Sequence, residues 1–192
     1  GIYLRVEGVF FIANQIWRIC PGVPRGETIF AARLFLYFHE AFHHKTESFA
    51  TRLEVTHRKP FFKTGIERYY QDTLMTPSCL EESLANASGL NNVNEKFRSS
   101  PYRSEIMDAL CKIVKDSPPG YSQGVDYVGP AFNEGRNDFS ENCQNYCLPH
   151  IPKNSPEVWM MANHMFDPLV NIKSRVNYIL PISSPLAGRI PS

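Results

Sequence analysis

Ile29-Phe30-Ala31-Ala32-Arg33-Leu34-Phe35-Leu36-Tyr37-Phe38-His39-Glu40-Ala41-Phe42-His43 is the stretch on which the reading of this chain turns. Up to Phe38 it is apolar on nearly every side, broken only by Arg33, and it holds neither Gly nor Pro. Such a segment is expected to be a buried helix. It ends in the pattern H-E-x-x-H. Residues four apart lie on one face of an α-helix, so the imidazoles at 39 and 43 can converge on a single ion. Glu40 projects beside them, near enough to take a proton from a water bound to that ion. Two histidines and a glutamate on a buried helix need partners, because an unpaired carboxylate taken out of water costs several kcal/mol or more. A metal, zinc first among them, is the most economical partner.

A zinc site also needs a third protein ligand, and three routes are open. The extended pattern H-E-x-x-H-x-x-G-x-x-H is absent: Thr46 stands where the glycine belongs and Phe49 where the third histidine belongs. Glu47 lies on the correct face, but a rise of ~1.5 Å per residue puts it ~12 Å along the axis from His39. The remaining route is a carboxylate on a later helix, predicted over about 77–88, where Glu81 and Glu82 fall in the first turns. Thr76 is its expected cap, Pro77 suits the first helical position, and Gly89 is its expected break.

H-E-x-x-H followed after some tens of residues by E-x-x-A-[DN] resembles the gluzincin metallopeptidases. That group includes small intracellular members of the phage-repressor-cleaving type and membrane-bound members of the CAAX-processing type. The residues that carry the resemblance are His39, Glu40 and His43, then Glu82-Ser83-Leu84-Ala85-Asn86, and it covers positions 29 to about 88. It implies that zinc is held by His39, His43 and Glu82, with Glu82 and not Glu81 in register. Asn86, one turn on, would steady a ligand histidine through its second ring nitrogen. This position usually carries an acidic residue in the family, and no family pattern follows residue 90. The activity implied is hydrolysis of a protein or peptide substrate: zinc lowers the pKa of its bound water, Glu40 takes the proton, and the hydroxide attacks the carbonyl.

With 192 residues the chain can bury one sizeable core. A single zincin-like domain is expected over 1–180, with a Pro- and Ser-rich tail over 181–192. The 20 Lys and Arg against 19 Asp and Glu give a net charge of +1, so no global field draws the chain to nucleic acid or acidic lipid. The short basic cluster Arg58, Lys59 and Lys63 reads as a solvated helix end. Five scattered cysteines argue against a secreted disulfide framework and for a reducing cytoplasm. No apolar run reaches the ~18 residues of a spanning helix, so no membrane segment is expected. The chain opens at Gly1, without methionine and inside a strand-like run, as a fragment of a longer polypeptide or one that has lost a leader would.

Ile2 to Ile12, rich in β-branched and aromatic residues, is predicted to form one or two strands. The motif helix is predicted from about Glu27 to His57, ended by Pro60, and residues 60–75 as a mixed connector that packs through its aromatics. A further helix is expected over about 102–116, since Ile106, Leu110, Ile113 and Val114 recur at helical spacing. From 118 to 155 Gly and Pro interrupt every run, which predicts a loop-rich segment able to form a lid or substrate wall. Residues 156–165 fit a helix or a strand. The fold class expected is therefore α+β: a mostly helical core with a small sheet beside the motif helix.

Other residues invite weaker functional readings. His44 lies ~100° round the helix from His43 and is expected to pack or to support the site. Cys143, Cys147 and His150 are ligand types, but without a C-x₂-C knuckle they make a poor structural zinc set. His164, Tyr69 and Tyr70 are candidates to donate to an oxyanion, each more readily explained as core. The rival readings are a non-catalytic zinc module, for which a closed set of four ligands is expected, and a metal-free helical interaction protein in which His39 pairs with Glu82.

Overall fold

The computed structural model describes residues 1–155, together with Val158, Met161 and Met165. The predictions for 156–165, His164 and the tail 181–192 otherwise lie outside the described residues. Six α-helices follow one another: α1 (Val6–Ile19), α2 (Arg25–His57), α3 (Phe61–Thr73), α4 (Leu80–Lys96), α5 (Arg103–Lys115) and α6 (Ala131–Cys147), with a 3-10 turn at Ser122–Tyr127 between the last two. No strand occurs among the described residues, which overturns the expected α+β fold and its sheet beside the motif helix.

The corrections have one physical cause: the burial of a stripe outweighs local propensity. In α1, Val9, Ile12, Ala13 and Ile16 fall at i, i+3, i+4 and i+7 and pack into the core, so the β-branched content serves a helix. The expected connector is α3, whose buried face runs Phe62, Gly65, Tyr69 and Thr73. The expected loop holds α6, whose buried face is Gly135, Phe139, Ser140, Cys143 and Cys147. Both stripes use Gly, Ser, Thr, Cys and aromatic residues in place of Leu, Ile and Val, and so escape a hydropathy reading. Small residues suit this contact because α3 and α6 are very close: a Cβ on Gly65 would sit 2.5 Å from the Cys147 Cα.

Helix α2 spans 33 residues, ~50 Å. It stops where Arg58 turns left-handed at φ 53°, before Pro60 is reached. Helix α4 starts later than expected, after a turn in which the Thr76 hydroxyl donates to the Thr73 carbonyl at 2.7 Å. It also runs straight through Gly89. A Cβ there would lie 2.8 Å from the Phe35 carbonyl oxygen, so this glycine sits where α4 crosses α2 at close range. Phe35 faces Gly89, Ser88 donates to the Phe38 carbonyl at 3.1 Å, His39 meets Asn86 and His43 meets Glu81. The index rises on α2 as it falls on α4, so the two helices run antiparallel.

Two apolar clusters flank this pair. One joins α1, the first half of α2, the second half of α4 and α5 around Ile16, Phe35, Leu90, Ile106 and Leu110. The other joins the second half of α2, α3, the start of α4 and α6 around Phe42, Leu53, Tyr69, Leu84 and Phe139. No helix among the described residues is long and apolar enough to cross a membrane.

Candidate metal centre

Where the second half of α2 meets the start of α4, the buried surface turns polar. The Nε2 atoms of His39 and His43 lie 3.3 Å apart, and Glu82 Oε2 stands 3.6 Å from the first and 3.5 Å from the second. A tetrahedral ion with ligand bonds of ~2.0–2.1 Å separates its ligand atoms by ~3.3 Å, so the three donors form nearly one face of that tetrahedron. They come from two helices, with 38 residues of chain between His43 and Glu82 that the α2–α4 crossing closes.

The hydrogen bonds behind the triangle fix which ring nitrogen faces it. Asn86 Nδ2 donates to the Tyr121 carbonyl at 3.0 Å, which leaves Asn86 Oδ1 to accept from His39 Nδ1 at 3.0 Å. Glu81 Oε1 accepts from His43 Nδ1, also at 3.0 Å. Both imidazoles therefore carry their Nδ1 proton outward and turn Nε2 inward, the atom a metal takes once it is free of a proton. Two Nε2 atoms and a carboxylate this close need a positive charge among them, a proton on His43 or a metal ion.

Glu81 is 3% exposed and well partnered. Tyr70 donates its hydroxyl to Oε2 at 2.8 Å, the Thr46 hydroxyl reaches Oε1 at 3.3 Å, and the backbone N–H of Glu81 donates to the Tyr69 hydroxyl at 3.2 Å. Tyr69 thus stands behind the site, buried; Tyr70 lines the cleft, but its hydroxyl is committed to Glu81.

Electrostatics without an ion point the same way. Burial lowers the His43 pKa, but hydrogen bonds to Glu81 and Glu82 and their charges outweigh it and hold the group up at about 10. Burial pushes His39 down, reinforced by its neighbour His43. Burial raises Glu82, yet the bond to His43 and the two histidines bring it below the ordinary carboxylate value. One proton on His43 then supplies the positive charge at the point where the three donors meet.

The triangle opens into a cleft of about 560 Å³, lined also by Glu40, His44, Glu47, Tyr121 and the leading residues Gly1 to Tyr3. Glu40 and His44 are exposed in it, so His44 is a rim residue and not a packing one. From the segment 118–155, Tyr121 reaches the cleft, where burial and the Glu82 carboxylate it hydrogen-bonds push its hydroxyl up to about 12. Cys143 and Cys147 are core, Cys147 Sγ donating to the Phe62 carbonyl at 3.9 Å, while His150 is exposed. All five thiols are free. Among the described residues, His39, His43 and Glu82 are the group of metal-ligating side chains whose donor atoms come together.

Sequence reasoning missed Glu81, Thr46 and Tyr121 as supports of the site. Thr46 carried a faint signal, one turn on from His43; Tyr121 carried none, being brought in by a distant turn. Comparison of the chain with family models, with characterised proteins and with solved structures returns no match.

Proposed function

We propose that this chain is a zinc-dependent peptidase of gluzincin type, with His39, His43 and Glu82 as the protein ligands and Glu40 as the general base. The observation that carries the reading is the triangle of donors 3.3–3.6 Å apart with both Nε2 atoms turned into it, inside an open cleft. An ion bound there supplies a Lewis acid and an acidified water. The chain's own residues do the rest. Glu40, exposed in the same cleft, takes a proton from water and returns it to the leaving amine. Tyr121, in the same cleft, donates its hydroxyl to Glu82 and holds that ligand in place.

Three ligands and an accessible cleft favour catalysis over a structural role, since structural zinc is normally closed by four protein ligands. The site needs only two antiparallel helices and two supporting tyrosine-bearing segments, so the helical fold is compatible with the chemistry. Five free thiols favour a reducing, cytoplasmic setting.

The test is hydrolysis of a peptide library by the zinc-loaded protein and by Glu40→Gln. We expect cleavage by the parent and a rate lower by about 100- to 10,000-fold in the variant, with zinc retained. Equal cleavage by both would remove Glu40 from the mechanism, and zinc bound without any cleavage would favour the non-catalytic zinc module.

A further inference from the structure

We propose that Glu81, clamped by Tyr70, is the positioning residue that sets the strength of the metal centre, and that it does so through His43 alone, making the two histidines unequal ligands. The inference rests on the metal reading above. Its starting point is a constraint at position 86. Asn86 must donate from Nδ2 to the Tyr121 carbonyl while accepting from His39. A carboxylate there would set an oxygen against that carbonyl oxygen, so His39 can be backed only by a neutral amide. The negative charge comes instead from Glu81, on the other histidine.

A carboxylate accepting from Nδ1 makes the imidazole a stronger donor at Nε2 and fixes the ring plane; an amide fixes the plane and does little else. Glu81 is built for that task. Tyr70 from α3 and His43 from α2 hold its two oxygens, and the Tyr69 hydroxyl accepts from its backbone N–H, so two neighbouring helices set its orientation. The charges also balance. Two neutral imidazoles and Glu82 leave a divalent cation with one positive charge unanswered, and Glu81 supplies one negative charge behind His43.

The experiment is zinc titration of the full chain against a chromophoric chelator, with the visible spectrum of the cobalt(II) form beside it, for the parent, Glu81→Gln, Tyr70→Phe and Asn86→Ala. We expect zinc affinity to fall about 10- to 100-fold in Glu81→Gln, with a shifted cobalt spectrum. Tyr70→Phe should lose several-fold with a spectral shift in the same sense, and Asn86→Ala less than Glu81→Gln. A merely structural Glu81 would change the melting temperature and leave the cobalt spectrum alone. No zinc bound by the parent would overturn the metal reading itself. Zinc bound by the parent with unchanged affinity and spectrum in Glu81→Gln, or a larger loss in Asn86→Ala, would overturn this inference alone. If Glu81→Gln does not fold, Tyr70→Phe decides, and an unaltered affinity and spectrum there refutes the proposal.

Discussion

The antiparallel pair of α2 and α4 is held together differently at its two ends. At the Phe35–Gly89 end the backbones approach closely because Gly89 has no side chain, and Leu90, Val93, Ile106 and Leu110 seal the contact with apolar burial. At the other end His39, His43, Glu81, Glu82 and Asn86 face one another across the same two helices. The first contact is complete in itself, since every group in it is satisfied by removal from water. The second gathers two imidazoles and two carboxylates that need a positive charge among them, which the His43 proton supplies in the absence of an ion. An apolar crossing thus positions a polar cluster whose groups are held by hydrogen bonds and charge.

Perturbing each end separately breaks that comparison. The largest stability effect is expected at the apolar end: Leu110→Ala, at a side chain with no exposure, should cost about 2–5 kcal/mol in chemical denaturation while leaving zinc stoichiometry unchanged. Loss of zinc binding in a folded Leu110→Ala protein would show the ends to be one unit. Gly89→Ala sharpens the point. The added methyl meets the Phe35 backbone and ring, so a loss of about 1–3 kcal/mol is expected, together with weaker zinc binding because the helices are pushed apart. Unchanged stability would mean that the crossing has slack.

The smallest effect belongs to the polar end and is read from pH. In chelated protein His43 has a folded pKa of about 10, above its unfolded value of ~6.5. Its contribution is complete below the unfolded value and lost as pH rises through the folded one, so metal-free protein should lose roughly 1–2 kcal/mol between pH 7 and pH 10. His39 is displaced the other way: below ~6.5 the unfolded chain takes up a proton that the folded chain resists, and that share of stability is lost on acidification. Zinc bound as proposed would displace the His43 proton, so the alkaline loss should vanish in the loaded protein. Melting curves at pH 7 and pH 10, with and without chelator, check this, and identical pH dependence in both would contradict it.

What could be read beforehand follows the same division. Helices α2 and α5 announce themselves through long apolar runs or Leu and Ile at helical spacing, and their observed bounds lie close to those expected. Helix α1 was hidden by β-branched residues whose spacing, more than their type, carried the information. Helices α3 and α6 pack through Gly, Cys, Ser and tyrosine, which no hydropathy pattern marks as core, and the expected sheet disappeared with them. The grouping of His39, His43 and Glu82 was legible because each half of it is a local helical spacing. Glu81 and Tyr121 were not, because their roles depend on how α4 is rotated against α2 and on where a turn some 35 residues downstream returns.

The central claim is that the polar end of the α2–α4 crossing is a metal site, and metal content tests it most directly. Elemental analysis of protein kept from chelators, beside Glu82→Ala, should find about one zinc per chain in the parent and almost none in the variant, both folded by circular dichroism. A parent without stoichiometric metal, or a variant that retains it, would contradict the account.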